Sequence, residues 1–153
     1  MEKSITELDF QRIIDGALDL ETLPVNGFSP LVLAYIGDCI FDLIIKSMII
    51  QEGNRPVQQL HERASYFLNA AAQSQMMRAI QEHLTEAESG YYRRGRNAKS
   101  VSPPKNQSIT DYRRATGFEA LLGYLYLEKQ YQRILTLVKI GLESMKEHQV
   151  DDK

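Results

Sequence analysis

The stretch on which the architecture turns is Ser29-Pro30-Leu31-Val32-Leu33-Ala34-Tyr35-Ile36-Gly37-Asp38-Cys39-Ile40-Phe41-Asp42-Leu43-Ile44-Ile45-Lys46-Ser47-Met48-Ile49-Ile50-Gln51-Glu52-Gly53. A serine followed by proline is a helix start: the hydroxyl accepts a bond from an otherwise orphaned N–H, and proline tolerates the first turn because its missing N–H has no partner there. Gly53 is a natural stop. The helix between them is apolar nearly all round, yet Asp38, Asp42 and Lys46 recur every four residues as one narrow polar stripe. Two carboxylates at mid-bilayer would each cost about 2.5 kcal/mol or more, which argues against a membrane span. The stretch is therefore expected to be the buried central helix of a bundle, or a helix buried at a subunit interface.

Working outward, no segment alternates with a period of two over a length that would make a strand. Leu122-Gly123-Tyr124-Leu125-Tyr126-Leu127 does so weakly, but no turn signal precedes it. Ser4 and Glu7 have capping-box spacing ahead of a rough apolar face from Leu8 to Leu18, predicting a helix over 4–20 and a linker over 21–28. Residues 57–84 carry apolar groups at helical spacing, with a break expected near Asn69. Thr85 and Glu88 again fit a capping box, opening a short helix into Tyr91-Tyr92-Arg93-Arg94. Residues 97–108, with Ser102-Pro103-Pro104-Lys105-Asn106, cannot be helix interior and read as a flexible basic loop. Helices over about 110–127, with Asp111 as its cap, and 131–148 complete an all-α helical bundle, with 1–153 as a single domain.

Composition sets the outer bounds. The chain has 153 residues, 43% hydrophobic and 25% charged, which excludes a disordered chain and suits one core. One cysteine and three histidines can supply neither a disulfide framework nor a Cys/His zinc cluster. Cys39 is expected to pack in the interior, and His61, His83 and His148 to play ordinary surface or packing roles. Met1-Glu2-Lys3-Ser4 shows no apolar run before Leu8, so the cytoplasm is the expected compartment.

Charge is unevenly distributed. The net charge of −2 conceals Arg93, Arg94, Arg96, Lys99, Lys105, Arg113 and Arg114 against the single acid Asp111 in residues 93–114, a local +6 that leaves −8 elsewhere. Arginines interleaved with Tyr91, Tyr92 and Tyr112 suit contact with a phosphate backbone. Composition alone does not separate that reading from a solvated, arginine-rich loop.

Asp38 and Glu119 stand out because each is an acid among apolar neighbours on a helix expected to be buried, in Tyr35-Ile36-Gly37-Asp38-Cys39-Ile40-Phe41 and Gly117-Phe118-Glu119-Ala120-Leu121-Leu122-Gly123. Carboxylates so placed call for ion pairs or for a hard cation such as Mg²⁺, and the sequence leaves both open. Gly37, Gly117 and Gly123 leave room for a close helix approach beside them. Asp42 is expected to pair with Lys46 one turn on.

These residues also carry a resemblance. Leu33-Ala34-Tyr35-Ile36-Gly37-Asp38-Cys39-Ile40-Phe41-Asp42-Leu43 resembles the signature helix of the ribonuclease III family, and Phe118-Glu119-Ala120-Leu121-Leu122-Gly123-Tyr124-Leu125 resembles its second acidic motif. Between them, Arg94-Gly95-Arg96-Asn97-Ala98-Lys99-Ser100, Pro104-Lys105-Asn106, Tyr112-Arg113 and Thr116 are similar to the Mini-ribonuclease III type, a nuclease domain without a separate double-stranded-RNA-binding domain. The likeness spans about residues 29–140. It implies a homodimeric, metal-dependent endoribonuclease that hydrolyses double-stranded or structured RNA, with ribosomal RNA precursor as the substrate class and a ribosomal protein as a conceivable presenter. It also implies that Asp38 and Glu119 hold Mg²⁺, or Mn²⁺ in its place. Arg93, Arg94, Arg96, Asn97, Lys99, Lys105, Arg113 and Arg114 are the implied RNA contacts. Larger family members have a glutamate where Ala34 stands and an aspartate where Thr116 stands, so the number of metal ions stays open.

Two other classes compete with that expectation. A non-catalytic RNA-binding module on the same fold has no need for two carboxylates facing one cleft, and a helical scaffold for protein partners predicts no RNA affinity. The large apolar surface of the 31–50 helix gives a dimer its own warrant.

Overall fold

The computed structural model describes residues 9–98, 105 and 108–151, with side chains as far as residue 147. Seven α-helices occur among them and no strand: α1 (Phe10–Ala17), α2 (Pro30–Ile50), α3 (Val57–Leu68), α4 (Ala70–Ile80), α5 (Glu86–Arg96), α6 (Ile109–Leu127) and α7 (Tyr131–Asp151). Short 3₁₀ turns occupy Val25–Gly27 and Gln81–His83. Ser4, Glu7, Leu8, Lys99, two thirds of the 97–108 loop and the His148 side chain lie outside the described residues.

The local signals act where the chain places them. Ser29 Oγ accepts from the Val32 N–H at 3.3 Å, with Pro30 in the first turn of α2. Gly53 follows the end of the helix with a φ of +147°, a conformation that side-chain-bearing residues rarely adopt. Asn69 ends α3 and caps α4 through the Ala72 N–H at 2.8 Å. Thr85 and Glu88 form the reciprocal capping box at the start of α5. The cap of α6 is Ser108, whose hydroxyl accepts from the Asp111 N–H at 2.9 Å, so α6 begins at Ile109 and Asp111 is the third residue of its first turn. Serine and aspartate are both good cap residues, and the serine three positions earlier takes the role.

The helix at the centre of the bundle is α6. Ala115, Gly117, Phe118, Ala120, Leu121, Leu122, Gly123 and Leu125 are all buried, and α2, α4, α5 and α7 pack around it. Phe41 of α2 meets Phe118 edge-on, with ring centres 5.2 Å apart. The 29–53 helix instead lies along one side. Leu33, Phe41, Ile45 and Ile49 are buried on its inner side, while Val32, Tyr35, Leu43 and Ile50 are exposed on the other flank, Tyr35 by 77%. Cys39 is on that exposed flank and not in the interior as expected.

Glycines set how closely the helices approach. A methyl group at Gly37 would overlap the Glu119 carbonyl oxygen, and one at Gly123 would overlap the carbonyl oxygen of Leu33. The main chains of α2 and α6 are thus in direct contact at this crossing. Near it, Gly117 lies under the Tyr92 ring of α5.

A buried ion pair ties the start of α5 to α7. Glu88 is 3% exposed; its carboxylate accepts from Arg133 Nε and Nη2, each at 2.9 Å, and from the Thr85 N–H at 2.8 Å. Burial alone would raise the Glu88 pKa, but the Arg133 and Thr85 bonds outweigh it and hold the carboxyl below its ordinary range. A depressed carboxyl contributes stability above its unfolded value of about 4.5, and that contribution disappears as pH falls through the folded value. Glu88→Gln is therefore expected to cost about 2 kcal/mol at pH 7 in urea unfolding. The gap from the parent protein should close below pH 4.

Candidate active site

The α2–α6 crossing brings together the two acids singled out by sequence. Gly37 places Asp38 next to the point where the backbones touch, and Glu119 supplies the carbonyl on the other side of that contact. Their carboxyl groups meet within hydrogen-bonding reach. Asp38 is exposed and Glu119 is half-buried, so the pair reaches the surface and does not lie in the sealed interior that the apolar flanks suggested. An α-helix apolar on nearly every side, with one narrow polar stripe, gives little periodic contrast from which to read its outward face.

The described residues give no ion pair for these acids and a strong perturbation of one of them. Among the described residues no Lys, Arg or His forms an ion pair with either carboxylate; the seven ion pairs involve Asp9, Asp42, Glu52, Glu82 and Glu88. Desolvation, followed by the hydrogen bond and the negative charge of Asp38, pushes the Glu119 pKa up to about 9. Two like groups turned toward each other without a counter-charge form a site complementary to a hard cation with oxygen ligands. The donor set is small. No group of three His, Cys, Asp or Glu gathers among the described residues, so a cation here would complete its shell with water and substrate oxygens.

Neighbouring positions add no further carboxylate. Ala34, one turn before Asp38, is buried, and Thr116, one turn before Glu119, donates its hydroxyl to the Tyr112 carbonyl at 3.0 Å. Asp42 is bound by Lys46 at 3.0 Å, as its spacing predicts. His61 and His83 are exposed, away from this pair.

The basic residues are distributed unevenly. Arg93, Arg94, Asn97, Lys105 and Arg113 are exposed. Arg96 is half-buried, its guanidinium 5.5 Å from the centre of the Tyr92 ring and its Nε donating to Asn97 Oδ1 at 3.3 Å. Arg114 folds back: its Nη1 donates to the buried Ser74 hydroxyl of α4 at 2.8 Å, on a flank of α6 about 140° around the helix from Glu119. Sequence reading passed over Ser74 because nothing local links residues forty positions apart. Tyr91 is different, since its place three residues before Arg94 is a readable helical pairing, and Arg94 stacks on it at 4.1 Å.

Comparisons with known proteins identify the family. The Ribonuclease III domain model matches residues 31–130. A Mini-ribonuclease 3 of Thermoanaerobacter sp. is 42% identical over 123 residues, covering 80% of this chain and 87% of that protein. A Mini-ribonuclease 3 of Clostridium tetani is 43% identical over 124 residues, covering 80% and 82%. The crystal structure of a protein from Fusobacterium nucleatum superposes with a TM-score of 0.70 at 29% identity, over 75% of this chain and 93% of that one. With the domain model, the relatives and the helical fold all in agreement, the chain belongs to the ribonuclease III family, as an endoribonuclease of its Mini-ribonuclease 3 type.

Proposed function

We propose that the chain is a homodimeric, divalent-metal-dependent endoribonuclease that cuts double-stranded or structured RNA, with Asp38 and Glu119 as its metal ligands and catalytic residues. The observation that carries the proposal is the meeting of these two carboxyls, without a cationic partner among the described residues, next to the arginine-bearing end of α5, whose Gly95 packs on Gly117 and Ala120 of α6. Mg²⁺, or Mn²⁺ in its place, would supply Lewis acidity there, neutralising phosphate charge and acidifying the attacking water. The chain's own part is to present two carboxylate oxygens at the α2–α6 contact, with Glu119 giving up its proton to do so. Arg93, Arg94, Arg96, Asn97, Lys99, Lys105 and Arg113 engage backbone phosphates, and Arg114, pinned to Ser74, contributes mainly field. Hydrolysis joins water oxygen to phosphorus and releases the 3′ oxygen. No side-chain nucleophile is needed.

A-form RNA is recognised through its minor groove and backbone, which suits a chain that reads shape with one basic edge. The exposed Val32, Tyr35, Leu43 and Ile50 flank of α2 is the apolar surface on which the two copies would pair. The likeness to the Mini-ribonuclease III type makes the large-subunit ribosomal RNA precursor the substrate to try first, with and without ribosomal proteins. The setting is the cytoplasm; no helix among the described residues is long and apolar enough to cross a membrane.

The test incubates the protein with long RNA duplex, single-stranded RNA and DNA duplex, in Mg²⁺ or EDTA, and measures mass by light scattering. Mg²⁺-dependent cutting of RNA duplex alone by a dimer is expected; intact duplex in Mg²⁺ refutes the proposal. Neutralising Arg94, Arg96 and Lys99 together should lower the slope of log affinity against log salt by about 2 to 3, at about 0.7–0.9 for each phosphate that is no longer neutralised. An unchanged slope would remove these residues from the interface.

A further inference from the structure

Arg94 does not project freely from α5. Its guanidinium carbon lies 4.1 Å from the centre of the Tyr91 ring, and its Nε donates to the Gly90 carbonyl at 3.4 Å. Tyr91 in turn stacks on Tyr124 of α6, with ring centres 3.9 Å apart and planes only 13° from parallel. The three flat groups form a ladder rising from α6 to the surface. Its lower rungs pack against Leu33, Ala34 and Ala120, one turn along α2 from Asp38 and next to Glu119 on α6. The acid pair and the ladder are therefore built on the same two helices.

The ladder covers one face of the guanidinium and leaves its edge open. Among the described residues no carboxylate lies within ion-pair distance of Arg94. A guanidinium held by its face presents its N–H groups in one plane, the arrangement that meets two phosphate oxygens at once. An exposed arginine ordinarily gives up rotamer freedom on binding, whereas one stacked in advance has already lost it. The cation–π attraction depends on the ring and not on the phenolic hydroxyl.

We propose that Tyr91, carried by Tyr124, is a positioning residue for RNA: it sets the Arg94 guanidinium at a fixed height above α6. A backbone phosphate gripped by Arg94 is then held at a fixed separation from the phosphate presented to Asp38 and Glu119. This rests on the RNA-cleaving reading above. Tyr91 acts through Arg94 and touches no reacting atom.

The test is a double-mutant cycle in the full chain, reading affinity for a short RNA duplex in EDTA, cleavage kinetics in Mg²⁺ and melting temperature. Arg94→Ala is expected to weaken binding about tenfold and to lower the salt slope by about one. Tyr91→Leu should weaken it about three- to fivefold with the slope retained, since the charge remains while its orientation is lost. In kinetics the loss should fall on KM more than on kcat. Tyr91→Phe should bind like the parent, and Tyr91→Leu with Arg94→Ala should bind no more weakly than Arg94→Ala alone. If the two penalties multiply, or if Tyr91→Leu loses affinity equally in the Arg94→Ala background, the ladder is only packing between α5 and α6 and the proposal is overturned. A parent protein that neither binds nor cuts the duplex would instead refute the RNA-cleaving reading itself.

Discussion

Asp38→Ala and Glu119→Ala are each expected to slow single-turnover cleavage of RNA duplex about a thousandfold or more, while duplex binding in EDTA stays within about threefold of the parent. The size follows from what the pair is proposed to hold: a cation stabilising transition-state charge contributes several kcal/mol, and about 1.4 kcal/mol corresponds to a factor of ten in rate. Loss of rate with retention of binding separates a metal-holding role from an RNA-contacting one. Because Ala could loosen the α2–α6 crossing, Glu119→Gln provides the control for folding. Burial and the neighbouring Asp38 already keep Glu119 protonated near neutral pH, and glutamine reproduces that neutral form. Glu119→Gln should therefore melt at or above the parent temperature and still fail to cut. Cleavage at the parent rate by any of these variants would remove that residue from the reaction.

Gly37→Ala is the second change with a large expected effect. A Cβ at this position has no room, because the Glu119 carbonyl oxygen occupies the space and the Gly123 nitrogen lies just beyond it at 2.8 Å. Rotamer changes cannot relieve an overlap with backbone, so α2 and α6 must separate. Overpacking of this kind costs about 3 kcal/mol, toward the high end of its usual range. Gly123→Ala, against the Leu33 carbonyl, should cost about as much by the same argument. Gly90→Ala is the internal comparison: nothing lies within 4 Å of its added methyl, and a mid-helix glycine becoming alanine should be neutral or stabilise by about 0.5–1 kcal/mol. Urea unfolding of the three variants gives the comparison directly. Equal stability of Gly37→Ala and Gly90→Ala would mean that the two backbones are not in contact.

The parts legible in the sequence were those encoded within a few residues. Ser29 with Pro30, Asn69, and Thr85 with Glu88 announce their helix ends because a cap is a bond between near neighbours. The identity of the acid pair was also legible, from charge in apolar surroundings and from the family likeness. The relation between segments was not. Which side of α2 faces α6 is poorly marked on a helix apolar nearly all round, with only the narrow Asp38, Asp42 and Lys46 stripe as a signal, and the exposure of Asp38 and Cys39 went unforeseen. Arg114 on Ser74 and Arg133 on Glu88 join residues 40 and 45 positions apart, and only the fold brings them together. Tyr124 is the same kind of case: its place beneath Tyr91 depends on how α5 crosses α6.

If the exposed flank of α2 pairs as proposed, the stability of this molecule depends on how much of it is present. In the proposed pair, Tyr35, Leu43 and their neighbours leave water only when two chains meet, so folding and association share one mass-action balance. Each tenfold dilution then withdraws about 1.4 kcal/mol from the assembled state. Melting temperature should climb with concentration, and activity per chain should fall away once the solution becomes too dilute for chains to find each other.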